Sequence, residues 1–136
     1  MCLFVRSEDP ATPFTVKRPI VVWKDLEMTN GRMHPPHFSS FTYVFGRTHT
    51  SKLEYCDHNV SKGLHAYITG DEDRIPAWGT LYPAIVPVGA KVYFGAASYY
   101  DLAADKLIVF RSKAHLLARY PGARFNRPRP TAAFVE

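Results

Sequence analysis

The sequence predicts a single α+β domain built on a mostly antiparallel, twisted sheet, with one C-terminal helix and an extended basic tail. Short aromatic and β-branched segments recur at close spacing, only one segment has a convincing helical pattern, and 136 residues is a usual length for one domain. We expect a globular domain at residues 1–120 with an irregular N-terminal arm, followed by an extended Arg/Pro-rich segment at 121–136.

The first third of the chain predicts one short strand in the arm and one core strand. Residues 2–5 are the short strand, and the β-branched and aromatic residues at 20–23 are the core strand. The Asn30-Gly31 pair predicts a turn. Because two prolines follow His34, residues 33–38 are predicted to be an irregular surface loop. The alternation of aromatic residues at 41–45 predicts another strand.

The middle of the chain predicts a sheet of four short strands, at residues 64–69, 82–86, 91–94 and 107–110. The three acidic residues at 71–73 are typical of the N-terminus of a short helix, where the helix dipole favours negative charge.

The helical pattern lies close to the C-terminus. Ser112 is a suitable N-cap for a helix over residues 112–120, and Pro121-Gly122 predicts its end. The sequence ARFNRPRPTAAFVE at residues 123–136 is predicted to be extended, because proline disfavours regular structure.

Charge is concentrated at the C-terminal end. Residues 1–110 contain 11 Lys and Arg residues and 11 acidic residues, whereas residues 111–136 contain six cations and one acid, so the net charge of +5 belongs to the second segment. Five of the six cations are arginines, whose planar guanidinium group suits phosphate and carboxylate. We therefore expect an anionic partner that binds Arg111 and the tail residues Arg124, Arg127 and Arg129; a solubilising tail is the alternative.

The sequence lacks the motifs of several common kinds of functional site. His34, His37, Cys56 and His58 do not have the spacing of common zinc sites, so we expect no structural metal and no cofactor. The P-loop, dinucleotide-binding and G-x-S-x-G signatures are absent from the sequence. No apolar run approaches 18 residues, and two cysteines are too few for a disulfide framework, so a soluble cytoplasmic protein is expected. Nucleic acid is a weaker expectation as the partner, because no recognisable DNA- or RNA-binding motif accompanies the basic tail.

One stretch of the chain resembles a known group of proteins. The sequences KGLHAY at 62–67, IVPVGAKVYFG at 85–95 and ADKLIV at 104–109 resemble a module in small uncharacterised proteins of bacteriophages and their bacterial hosts. The resemblance covers about a third of the chain. It implies a phage-encoded accessory protein in the host cytoplasm that acts by binding, for example as a host-defence inhibitor or by trapping a signalling nucleotide. His65 and Tyr67, within the first motif, are further candidate ligand-binding residues.

The same layout resembles the ADP-ribosyltransferases. That resemblance implies that His65 or Tyr67 faces the nicotinamide of NAD and that Asp105 stands at the position of the catalytic glutamate. However, no glutamate occurs between Glu72 and Glu136, and aspartate is one methylene shorter. We therefore expect a non-enzymatic inhibitor or sequestering factor, with an NAD-using transferase, or its degenerate descendant, as the alternative.

Overall fold

A computed structural model describes residues 3–5, 12–36, 41–70, 79–95 and 102–125, and these residues form twelve strands and one helix. The strands are β1 (Leu3–Phe4), β2 (Phe14–Thr15), β3 (Ile20–Thr29), β4 (Arg32–His34), β5 (Thr48–Thr50), β6 (Glu54–Cys56), β7 (Asn59–Lys62), β8 (Leu64–Ala66), β9 (Thr80–Val86), β10 (Lys91–Phe94), β11 (Leu102–Ala104) and β12 (Lys106–Val109). The helix is α1 (Lys113–Arg119). The α+β class with a mostly antiparallel sheet and one helix is confirmed for the described residues, whereas the extended tail from residue 126 onward lies outside them.

The strands form three antiparallel sheets, with the orders β1-β7-β6, β2-β10-β11-β8 and β4-β3-β9-β12-β5. Only Asp105 separates β11 from β12, so this stretch of chain passes directly from the second sheet into the third. The Trp23 and Tyr67 backbones exchange two hydrogen bonds of 2.7 and 2.9 Å, which join the continuation of β8 to β3. The strands therefore form a closed circuit in which β3 pairs with β9 and β9 with β12, the chain links β12 to β11, and β11 pairs with β8, whose continuation bonds back to β3, so the sheets curl around one core.

Alternation along β3 separates an inner face from an outer face. Val22 and Leu26 point into the main core, whereas Val21 and Trp23 pack on the opposite side. The inner cluster contains aliphatic and aromatic side chains from both large sheets. The outer side is covered by α1 through the buried Leu116.

Helix α1 begins and ends as predicted. The Ser112 Oγ accepts a hydrogen bond from the His115 amide at 3.1 Å, which satisfies one amide of the first turn. The Tyr120 amide donates to Leu116 O at 2.8 Å at the other end. Because Leu116 is the buried residue of the helix, most of its circumference is exposed.

The prediction of an irregular loop at 33–38 is wrong for Met33 and His34, which belong to β4. A residue before proline is restricted to extended backbone, and that restriction is compatible with a strand end. The predicted turn is present, with φ of 53° at Asn30 and 76° at Gly31, and it brings Thr29 opposite Arg32. His37 lies outside the described residues.

The prediction of a strand at 41–45 is also wrong, because only Tyr43 forms a bridge, to Met33. The Val44 amide donates to the His49 Nε2 instead of to a strand. Gly46, with φ of 81°, then turns the chain. The strands predicted from residue 64 onward are present, while the acidic run at 71–73 lies outside the described residues.

The described helix has seven residues, and no helix within the described ranges has the length and hydropathy needed to span a bilayer.

Candidate anion-binding surface

The described part of the basic C-terminal region lies on the outer side of the sheet. Residues 111–125 contain four cations and no acid, and all four cationic side chains are exposed. They belong to Arg111, Lys113, Arg119 and Arg124. Because α1 packs on β9 and β12 through Leu116, these cations lie on the solvent side of the helix and of the segment that follows it.

Aromatic rings hold three of these cations in place. The Arg111 Cζ lies 5.7 Å from the centroid of the Phe45 ring, and the Arg119 Cζ lies 6.0 Å from that of Tyr120. The Lys113 Nζ lies 5.6 Å from the Trp23 ring. A cation over a ring at an exposed site contributes about 0.5–1 kcal/mol, enough to bias the side chain toward one position.

Phe125 completes the surroundings of Lys113. Its ring centroid lies 5.2 Å from the Lys113 Nζ and 5.7 Å from the Trp23 ring, and the two rings are tilted by 49°. Phe125 also packs against the outer cluster around Ile85. The chain that follows α1 therefore returns to the sheet, which fixes the backbone next to Arg124.

The turn formed by residues 44–47, here called the Gly46 turn, meets α1 from the side. The Arg119 Nη1 donates to Gly46 O at 2.7 Å, and the Gly46 amide donates to Val109 O at 2.8 Å. A Cβ built on Gly46 lies 3.7 Å from the His115 Nε2. Arg47 adds a fifth exposed cation at this junction.

We call these five cations the basic face: Arg47, Arg111, Lys113, Arg119 and Arg124. None of them forms an ion pair with any residue in the described ranges. On the β6–β7 hairpin, by contrast, Lys62 pairs with Glu54 at 3.3 Å. The charge of the basic face is therefore available to an external anion.

The structure brings only part of the predicted ligand-binding set to this surface. Arg111 and Arg124 belong to the basic face, while Arg127 and Arg129 lie outside the described residues. The sequence analysis did not assign Arg47 or the ring of Phe45 to a site. No local signal marks the Phe45 ring, because it meets Arg111 only through packing between segments far apart in sequence.

His65 lies on β8, away from α1. Its Nδ1–H donates to Gly63 O at 3.1 Å, and its register partner Ala103 packs against the cluster under the β6–β7 hairpin. Burial, with a smaller effect from the Lys24 charge, lowers the pKa of His65 to about 4. The imidazole is therefore neutral at pH 7.

Tyr67 is a core residue, because it is only 2% exposed and packs against Trp23. Its backbone closes the circuit of strands. These contacts explain the burial of Tyr67 through its structural role.

The Asp105 carboxylate is hydrogen-bonded on the side of β11 that faces away from His65. Its Oδ1 accepts a hydrogen bond from the Lys91 amide on β10 at 2.8 Å. Since β11 lies between β8 and β10, the structure does not bring the Asp105 carboxylate and the His65 ring together as the transferase resemblance implies. A catalytic role for Asp105 stays a prediction.

Lys24 is a buried cation that the sequence analysis did not single out. It is 7% exposed and lies on the inner face of β3 between Val22 and Leu26. Its Nζ donates to His65 O at 2.6 Å and lies 5.7 Å from the Tyr43 ring centroid. Burial lowers the pKa of Lys24 to about 8, against an opposing effect of the Asp25 charge.

Of the residues considered for zinc, His34 and His58 have hydrogen-bond partners, while His37 lies outside the described residues. Both ring nitrogens of His34 have partners, Thr29 Oγ1 at 2.9 Å and Pro35 O at 2.7 Å. His58 contacts the Tyr55 hydroxyl at 3.0 Å, and Cys56 is exposed nearby. Within the described ranges, no three His, Cys, Asp or Glu side chains are grouped closely enough to hold a metal ion.

Comparison of the chain with family models, with curated proteins and with solved structures finds no match.

Proposed function

We propose that this protein acts by binding, and that it inhibits or sequesters an anionic partner through the basic face. The partner is a nucleotide-type ligand or an acidic surface of a host protein, and the resemblance to phage-encoded proteins favours a role inside a host cell, including inhibition of a host defence. Nucleic acid is the weaker version of the same proposal.

The single observation that supports this proposal is that five exposed cations have no ion-pair partner among the described residues, while three of them are seated on aromatic rings. Seating a cation before binding reduces the conformational entropy lost when the partner arrives. A merely solubilising surface has no need of this ordering. A partner therefore displaces no ion pair between described residues when it binds these cations.

The alternative, an NAD-using transferase, has less support. Its implied residues are a neutral His65, a buried Tyr67 and an Asp105 whose carboxylate already accepts a backbone hydrogen bond. A protein that acts by binding alone does not require a catalytic carboxylate beside His65.

The proposal is tested with a fluorescein-labelled heparin oligosaccharide as a model polyanion, using fluorescence anisotropy. The variant Arg111→Gln/Lys113→Gln/Arg119→Gln/Arg124→Gln is expected to bind about 100-fold more weakly, which corresponds to about 2.7 kcal/mol in total, or about 0.7 kcal/mol for each exposed cation removed. Binding by the parent is expected to weaken as salt rises from about 50 to 200 mM.

A second variant, Arg18→Gln/Lys52→Gln/Lys62→Gln/Lys91→Gln, loses the same formal charge elsewhere on exposed residues. We expect it to keep most of the affinity of the parent. Equal loss in the two variants contradicts the proposal, since binding then follows net charge and not the basic face. Mass spectrometry of anions released from protein purified at low salt identifies the class of the natural partner.

A further inference from the structure

Two guanidinium groups and one imidazole meet at consecutive residues of the Gly46 turn. The Arg111 guanidinium lies against the Phe45 ring, and the Arg119 Nη1 donates to Gly46 O. The His115 ring lies beside the same glycine, with Nε2 and Cε1 both 3.7 Å from a Cβ built there. Three groups able to donate hydrogen bonds are therefore brought to one small area.

The turn itself is held by backbone hydrogen bonds. The Gly46 amide donates to Val109 O on β12, and the Arg47 amide donates to Val44 O at 3.2 Å. The Val44 amide donates to the His49 Nε2 at 3.0 Å. These contacts tie the turn to the sheet, so the groups seated on it have a fixed platform.

The tautomer of His115 follows from its own contact. Its Nδ1 accepts a hydrogen bond from the Arg111 amide at 3.1 Å, which requires an unprotonated Nδ1. In the neutral ring the proton is then on Nε2, the nitrogen on the Gly46 side. His115 thus contributes an N–H donor next to the two arginines.

The donor set fits a phosphoryl group better than a carboxylate. Each guanidinium carries five N–H donors in a planar fork, and Arg119 uses one of them on Gly46 O. One fork engages both oxygens of a carboxylate, whereas a terminal phosphate presents three oxygens and a charge close to −2 at neutral pH. Two forks and an imidazole N–H match that number of acceptors.

We propose that Arg111, Arg119 and His115 form a binding site for a terminal phosphoryl group at the Gly46 turn, an inference that rests on the proposed anion-binding function and names its ligand chemistry. The phosphoryl group belongs either to a small phosphate ester, such as a nucleotide, or to a phosphorylated end of a nucleic acid. The two sources share the same terminal phosphate.

The test uses isothermal titration calorimetry with inorganic phosphate, adenosine 5′-monophosphate, adenosine and a short single-stranded oligonucleotide with and without a 5′-phosphate. Phosphate and the monophosphate are expected to bind, and adenosine is not. Tighter binding of the monophosphate than of the 5′-phosphorylated oligonucleotide assigns the site to small esters, and the reverse order assigns it to nucleic acid ends. Binding of phosphate no tighter than that of acetate overturns the inference.

The variant Arg111→Lys/Arg119→Lys keeps the charge and removes both forks. We expect phosphate affinity to fall about tenfold or more, because each planar fork is replaced by a point charge. A phosphate affinity equal to that of the parent overturns the site but leaves the anion-binding function standing. Loss of heparin binding by the glutamine variant and by its charge-matched control to the same extent instead contradicts the proposed function itself. Circular dichroism confirms that each variant is folded.

Discussion

Two consecutive residues of β3 lie at two very different cation sites. Lys24 points inward, where its ammonium is buried over the Tyr43 ring and donates to His65 O. Trp23 points outward and carries the exposed Lys113 on its ring. The same kind of contact, a lysine over an aromatic ring, is therefore made on both faces of one strand.

The difference between the two sites is one of solvation. Burial lowers the pKa of Lys24 to about 8, so the inner cation is held at a cost to stability. Lys113 is exposed and keeps its hydration. A cation of the exposed basic face is desolvated only when another molecule covers it.

The largest expected effect comes from Lys24→Met, which removes the buried charge. The pKa of Lys24 is about 8 in the folded protein, below the ordinary lysine value of 10.5, so the unfolded chain holds the proton more tightly between these pH values. The parent therefore carries the full penalty at pH 7 and becomes more stable, relative to the variant, as pH rises from 8 to 10.5. We expect the free energy of unfolding of the variant to exceed that of the parent by about 2–3 kcal/mol at pH 7, reduced by the contribution of the lost hydrogen bond.

Urea unfolding of both proteins at pH 7 and pH 10 measures this gain and its decrease. Lys52→Met, at an exposed position, is the control and is expected to be neutral. A variant less stable than the parent at pH 7 contradicts the assignment of Lys24 as a costly charge.

A smaller effect is expected on the outer face from Gly70→Ala. A Cβ at Gly70 lies 2.6–2.9 Å from three atoms of the Trp23 indole, so the ring must move. Overpacking of this kind costs about 1–3 kcal/mol, and displacement of Trp23 also removes the seat of Lys113. Thermal unfolding measures the loss, and Gly122→Ala, where a Cβ meets nothing within 4 Å, provides the control. Equal stability of the two variants contradicts the packing of Gly70 on Trp23.

The smallest effect is expected from Ser112→Ala, which removes the N-cap of α1. The His115 amide loses its acceptor, at a cost of about 1 kcal/mol. Fraying of the first turn loosens Arg111 and Lys113, so the heparin affinity is expected to fall by a few-fold in anisotropy measurements. Ser61→Ala on β7 serves as control. Unchanged affinity together with reduced stability indicates that the helix cap does not order the basic face.

Locally encoded features were predictable. The Asn30-Gly31 turn needs backbone at positive φ, and the Ser112 cap needs a hydroxyl before a helical segment, so both are visible in a few residues. The concentration of charge after residue 110 was likewise readable from the sequence.

Features that depend on distant partners were not predictable. The core strand was predicted at residues 20–23 from their β-branched and aromatic side chains, yet β3 continues to Thr29 and buries Lys24 and Asp25. The β6–β7 hairpin turns at Asp57 and His58, which are both at positive φ without being glycine. The role of Phe45 under Arg111 depends on packing between segments far apart in sequence.

The hydrogen-bonded pair between Trp23 and Tyr67 has a consequence for the order of folding. The hairpin of β3 and β4 needs only the two-residue turn at Asn30-Gly31, and such a hairpin closes within about 1–10 μs. The Trp23–Tyr67 pair joins segments far apart in sequence, so its formation costs more loop-closure entropy than the hairpin does. We therefore expect the circuit of strands to close after the β3–β4 hairpin has formed.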